Sequence, residues 1–263
     1  MHSDFLPHSQ LLLQYNLVSP IYQGSLLSSA MPEQAPSLEI ACFSVESALI
    51  AIKQGVQRIE LCGGPPSLGG LTPSRPDLKS VKAAAGSIPV HVMIRSRGGN
   101  FVYTDEEIKL MEDSIREFGD LADGFVFGAL TGIDEVDEAC CARLLSAAGR
   151  GRPCVFHRAV DEASDFSAAL RTIQKLGLTG VLTSGSKSTA SAGSAEIANA
   201  MSTLGNRLQI VVGGGVRSAN LPELLETTGA TWFHSSALVN GEETANADEI
   251  KRMLSILGLP KAP

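Results

Sequence analysis

Short apolar segments of strand composition alternate with amphipathic helical segments along this chain. The unit of strand, loop, helix and glycine stop recurs roughly every 25 to 30 residues. Parallel strands cannot be joined by tight turns and need such helical crossovers. The strand segments fall at 38–42, 58–62, 90–94, 124–127, 154–157, 180–183, 208–212 and 231–234. Eight such units in about 220 residues favour a sheet closed on itself over an open, doubly wound one. The fold expected is α/β: a single (β/α)8 TIM-type barrel over residues 37–263. Residues 1–36, interrupted by Pro20, Pro32 and Pro36, are expected to form a poorly ordered N-terminal extension.

Local signals agree with this division. Ser44 precedes a helix running to about Gln54, and Gly55 supplies a left-handed stop. Ser74 caps the next helix, with Asp77 in its first turn. Thr104 and Glu107 have the spacing of a capping box. Gly177, Gly205 and Gly229 stand shortly before strands, where helix C-termini and αβ turns belong.

The formal net charge of -7 argues against nucleic acid and against anionic lipid, both of which need a basic face. No apolar run reaches the roughly 18 residues that span a bilayer. The first 36 residues hold no Lys or Arg, so neither a secretory nor a mitochondrial leader is expected. The five cysteines include no CxxC pair, which points to the reducing cytoplasm rather than a disulfide framework.

In a parallel barrel the loops after the strands build the site, and here the strand ends carry chemistry. Glu39 and Cys42 lie in the first, Glu60 and Cys62 in the second, His91 and Arg95 in the third, and His157 and Arg158 at the fifth. Thr183 and Ser184 follow the sixth, Gly213-Gly214-Gly215 the seventh, and the eighth ends in His234. Residues two apart share a strand face, so Glu60 pairs with Cys62, and His91 with Met93 and Arg95. Charged members are expected inward, because the outward face packs under helices. They form either a structural ion-pair plug or a polar ligand site. The glycine run either makes a tight βα turn or offers backbone N–H groups to a phosphate or other anion. Cys42 and Cys62 end neighbouring strands about 4.8 Å apart, close enough for both sulfurs to reach one soft ion, or else are ordinary buried thiols. No P-loop, GxSxG or HExxH is present.

Several of these segments together resemble the CutC copper homeostasis family. They include Ile59-Glu60-Leu61-Cys62, Gly69-Gly70-Leu71-Thr72-Pro73-Ser74 and Val90-His91-Val92-Met93-Ile94-Arg95. They continue with Phe156-His157-Arg158-Ala159, Gly213-Gly214-Gly215-Val216 and Phe233-His234-Ser235-Ser236. The resemblance implies a TIM-type barrel, a homo-oligomer (dimer or tetramer), a cytoplasmic role in copper handling, and Cu(I) ligands at Cys42 and Cys62. The alternative is a barrel enzyme acting by acid–base chemistry on a small anionic or polyol substrate. Glu39 or Glu60 would then be the base and His157 or His234 the acid, with His91, Arg95, Arg158, Thr183, Ser184, Gly214 and Gly215 binding the anion.

Overall fold

Helix starts in this chain are written in short polar side chains. Ser44, Ser74, Thr104, Asp137, Asp165 and Asn246 each accept a backbone N–H of the first helical turn, filling donors that the helix leaves without partners. Thr104 and Glu107 form the reciprocal capping box. Gly55, Gly177 and Gly229 end their helices in the left-handed region, where a Cβ is penalised.

The structure is a computed structural model that describes residues 35–260. The strands are β1 (Ser37–Cys42), β2 (Arg58–Leu61), β3 (Val90–Met93), β4 (Gly124–Phe127), β5 (Cys154–Phe156), β6 (Gly180–Thr183), β7 (Gln209–Val212) and β8 (Trp232–Ser235). The helices between and after them are α1 (Val45–Gln54), α2 (Arg75–Ala85), α3 (Asp105–Phe118), α4 (Glu138–Ala148), α5 (Phe166–Leu176), α6 (Ser194–Leu204), α7 (Leu221–Thr228) and α8 (Ala247–Ile256). All strand pairs are parallel, and β8 returns to β1, so the sheet is a closed barrel. The expected (β/α)8 architecture is therefore the observed one. The extension expected over 1–36 lies, but for its last two residues, outside the described residues. No helix among the described residues is long and apolar enough to cross a membrane.

Alternation along the strands sorts side chains into two layers. Leu38, Ile40, Phe125, Phe127, Phe156 and Phe233 face the helices and are fully buried in the large outer core. Each such side chain contributes about 1.5–3 kcal/mol on burial. Cys62, Met93, Val126, Val155, Leu182 and Val211 form a smaller cluster inside the barrel. That cluster separates two cavities of about 640 Å³ each. One lies at the mouth, among the loops that follow the strands, and the other at the opposite end, among the strand starts.

Candidate functional site

Four charged or ionisable side chains from three strands run through the barrel interior. Arg58 Nε pairs with Glu39 Oε2. The other oxygen of Glu39 lies 2.6 Å from His234 Nδ1, and His234 Nε2 lies 3.6 Å from Glu60 Oε2. Period two places Arg58 and Glu60 on the same face of β2, while the register sets Glu39 beside both Arg58 and His234. Burial works to raise the Glu39 pKa, but Arg58 and the His234 hydrogen bond hold the carboxyl well below the usual carboxylate range. Burial also pushes Glu60 up, to about 7, with the Glu39 charge adding to the rise and His234 opposing it. His234 is raised: burial opposes its charge, but the Glu39 hydrogen bond and the Glu60 carboxyl outweigh that. Glu39 thus stays an anion that anchors the imidazole, and Glu60 is the carboxyl free to change state.

The mouth cavity is lined by Glu60, Arg95, His157, Arg158, Gly214 and His234, among others. Three buried polar atoms of lining residues find no partner among the described residues: Glu60 Oε1, Arg95 Nε and His157 Nε2. Buried polar groups are nearly always satisfied, so three in residues that line one cavity stand out. Arg95 donates through Nη1 to Leu68 O at 2.8 Å and through Nη2 to Gly99 O at 2.6 Å, and stacks on Phe101 at 4.7 Å. It ties two loops together while pairing with no carboxylate among the described residues. His157 Nδ1 accepts the Ala159 N–H at 3.2 Å. Burial, with the nearby Arg95 charge, lowers its pKa to about 3, so the ring is neutral. Its one proton then sits on Nε2, as a hydrogen-bond donor without an acceptor.

A second corner of the mouth is cationic. Arg158 opens a short 3-10 turn over Arg158–Glu162 instead of extending β5. Its Nε donates to Asp161 Oδ2 at 2.9 Å and its Nη2 to Ser184 Oγ at 2.8 Å. Gly214 and Gly215 line the cavity with φ of 97° and 80°. A Cβ on Gly214 would stand 2.8 Å from Ser184 Cβ and 3.3 Å from Arg158 Cζ, so only glycine lets the backbone come this close. Arg217, just beyond the glycine run, donates to Ser235 Oγ and Ser236 Oγ at 3.1 Å each.

With this geometry in view, the relatives decide the family. The sequence profile of the CutC family matches residues 37–239. A human copper homeostasis protein cutC homolog is 45% identical over 203 residues, covering 76% of this chain and 72% of the relative. This chain belongs to the CutC family. A CutC family protein of Salmonella enteritidis is 42% identical over 201 residues, covering 76% of this chain and 79% of its own length. The CutC crystal structure from Streptococcus agalactiae superposes with a TM-score of 0.72 at 33% identity, covering 76% of this chain and 98% of that one. Phosphoribosyl anthranilate isomerase from Thermotoga maritima, at 13% identity and a TM-score of 0.57, covers 85% of this chain and 98% of its own and shares the barrel fold alone.

Against the CutC expectation of a two-thiolate Cu(I) site, the sulfurs face different layers. Cys42 follows Leu38 and Ile40 into the outer core, and its Sγ–H donates to Ile40 O at 3.5 Å. Cys62 belongs to the interior cluster and lines the mouth. The sheet stands between them. Burial, reinforced by Glu60, raises both thiols far above their ordinary pKa, so neither is a thiolate. This pair does not fit a shared Cu(I), because β1 keeps its alternation to Cys42.

Other sequence expectations are corrected in the same way. Glu39 does not line the mouth and is too strongly held as an anion to act as base. His91 lines the opposite cavity. Thr183 and Ser184 are fully buried behind the mouth. Thr183 Oγ1 and the Ser184 N–H both donate to Asp161, at 2.5 and 3.0 Å, so these two residues brace the loop that aims Arg158. Glu60, Arg95, His157, Arg158, Gly214, Gly215 and His234 do gather at one opening. Sequence reading missed Arg58, Asp161 and Arg217. Arg58 was detectable, since it stands two residues before Glu60 in the same strand.

Proposed function

We propose that the barrel mouth of this CutC protein is a catalytic site for proton transfer on a small anionic substrate, with Glu60 as the acid–base group. The observation that carries this reading is the unpartnered Glu60 Oε1 at the cavity, beside a His234 ring fixed from behind by Glu39. A carboxyl that titrates near neutrality suits both halves of a proton transfer. The reaction class that fits is enolisation. Glu60 takes the proton from a carbon next to a carbonyl, and the neutral His157 Nε2–H hydrogen-bonds the oxygen that gains negative charge. Arg158 and the Gly214-Gly215 backbone hold the anionic end of the substrate. The test is a panel of phosphorylated and carboxylated hydroxyketones incubated in deuterium oxide and read by NMR. Deuterium should enter one panel member with wild-type protein and none with Glu60→Gln. A panel in which nothing exchanges overturns the proposal.

A second reading takes Cu(I) into the same mouth as cargo. It is supported by the family name and by two soft sulfur side chains. Cys62 Sγ and Met93 Cε lie 2.9 and 3.5 Å from where a Cβ on Gly70 would stand, so both side chains approach one point. Anaerobic Cu(I) titration should lose its stoichiometric step in Cys62→Ser and keep it in Cys42→Ser. A step retained in both variants rejects this reading.

A further inference from the structure

The cavity at the strand-start end of the barrel lies apart from the mouth and meets its charge chain only through the Arg58–Glu39 pair. It is lined by Arg58, His91, Gln209 and Trp232, with Ile88 and Pro89 on the apolar side. Bottom faces of such barrels ordinarily serve stability, and a well-packed one would satisfy its buried polar atoms. This one does not. Arg58 and His91 are 5% and 3% exposed, and Arg58 Nη2 and His91 Nδ1 have no partner among the described residues.

The charge around the cavity is nearly balanced. Arg58 Nε serves Glu39, its Nη1 donates to Gln209 Oε1 at 2.9 Å, and its guanidinium lies 4.0 Å from the centre of the Trp232 ring. Lys82 pairs with Asp123 at the rim, and Asp123 also accepts the Val90 N–H at 2.7 Å. Burial and the Arg58 charge lower the His91 pKa to about 4, so that ring is neutral at pH 7. What stays unspent among the described residues is the Nη2 amino group of the guanidinium and one imidazole nitrogen, in a cavity also lined by an indole, an isoleucine and a proline. A singly charged acceptor with a flat apolar body matches that lining. A multiply charged oxyanion does not, because Asp123 and Glu39 are both near and Lys82 is already paired with Asp123.

We propose that this cavity is a second ligand site, for a small carboxylate whose apolar body lies against Trp232, Ile88 and Pro89 and whose oxygens accept from Arg58 Nη2 and His91. The proposal stands apart from the reading of the mouth, because it shares no lining residue with that cavity.

Trp232 is the one tryptophan of the chain, so its fluorescence reports this cavity alone. The full chain is titrated with sodium benzoate, with benzyl alcohol and sodium sulfate as comparisons. Benzoate should give a saturable change, and neither comparison should. Gln209→Glu places a carboxylate beside Arg58 with no change in shape. It should weaken benzoate at least about tenfold, in line with loss of a charged hydrogen bond. Arg58→Lys keeps the charge for Glu39 but removes Nη2, and should weaken it similarly, with circular dichroism checking the fold. Equal saturation by benzyl alcohol, an unsaturable benzoate response, or an unchanged benzoate affinity in a folded Gln209→Glu protein overturns the proposal.

Discussion

Glu39 and Glu60 flank the imidazole of His234, 2.6 Å from its Nδ1 and 3.6 Å from its Nε2, and are driven in opposite directions. The difference lies in Arg58, whose Nε pairs with Glu39 and not with Glu60. Two carboxyl groups in one barrel therefore differ in state: Glu39 is held as an anion, and Glu60 is pushed toward its neutral form.

Glu60 should leave a signature in stability as well as in turnover. Its folded pKa of about 7 stands above the ordinary value of 4.5. The protonated form thus stabilises fully below pH 4.5, and that contribution is lost as pH rises through 7, at up to about 1.4 kcal/mol per pH unit. Glu60→Gln cannot ionise, so this loss should vanish. Urea unfolding between pH 5 and 8 measures it, and equal slopes in both proteins would contradict the assignment.

His157 should act on the acid side. Its pKa falls from 6.5 to about 3 in the folded protein, chiefly through burial. Stability is complete above pH 6.5 and is lost as pH drops toward 3, because the unfolded chain binds the proton first. In His157→Gln the acid limb should be shallower by up to about 1.4 kcal/mol per pH unit over that range. A limb of unchanged steepness would mean that His157 is protonated in the fold.

Glu39→Gln should destabilise the protein by about 3–5 kcal/mol, since it leaves the buried Arg58 charge uncompensated. Adding Arg58→Met removes the stranded charge, so the double variant should recover much of that loss. A double-mutant cycle in chemical denaturation gives the coupling, and simple additivity would show that the pair is not linked.

Gly124 is required by a neighbour rather than by its own backbone. A Cβ there would stand 2.5 Å from His91 Nε2, whereas one on the exposed Gly132 meets nothing within 4 Å. Gly124→Ala should therefore cost about 1–3 kcal/mol by overpacking. Gly132→Ala should stay within about 0.5 kcal/mol of wild type. Comparable thermal midpoints for the two variants would show that His91 moves aside freely.

The elements of this fold were legible because their signals are local. Ser44 and the Thr104–Glu107 box mark helix starts through bonds to residues three positions away. Period two likewise placed Glu60 and Cys62 on one face. Depth along the barrel was another matter. His91 lies in β3 and Arg95 two residues past its end, in phase by alternation, yet they line opposite cavities. Strands in a barrel tilt and stagger, so height along the axis depends on how all eight pair, which no single strand encodes. Asp161 escaped notice for a similar reason, since its partners Thr183 and Ser184 come from the next unit of the chain.

Spacing, caps and alternation act over a few residues, and they suffice to specify eight strand–helix units that close into a barrel. That Cys42 turns away from Cys62, that Glu39 is spent on Arg58 while Glu60 is not, and that His91 serves the far end came from packing across the barrel. Those outcomes depend on which groups meet across strands, and the energy of a buried charge is set by its neighbours in space.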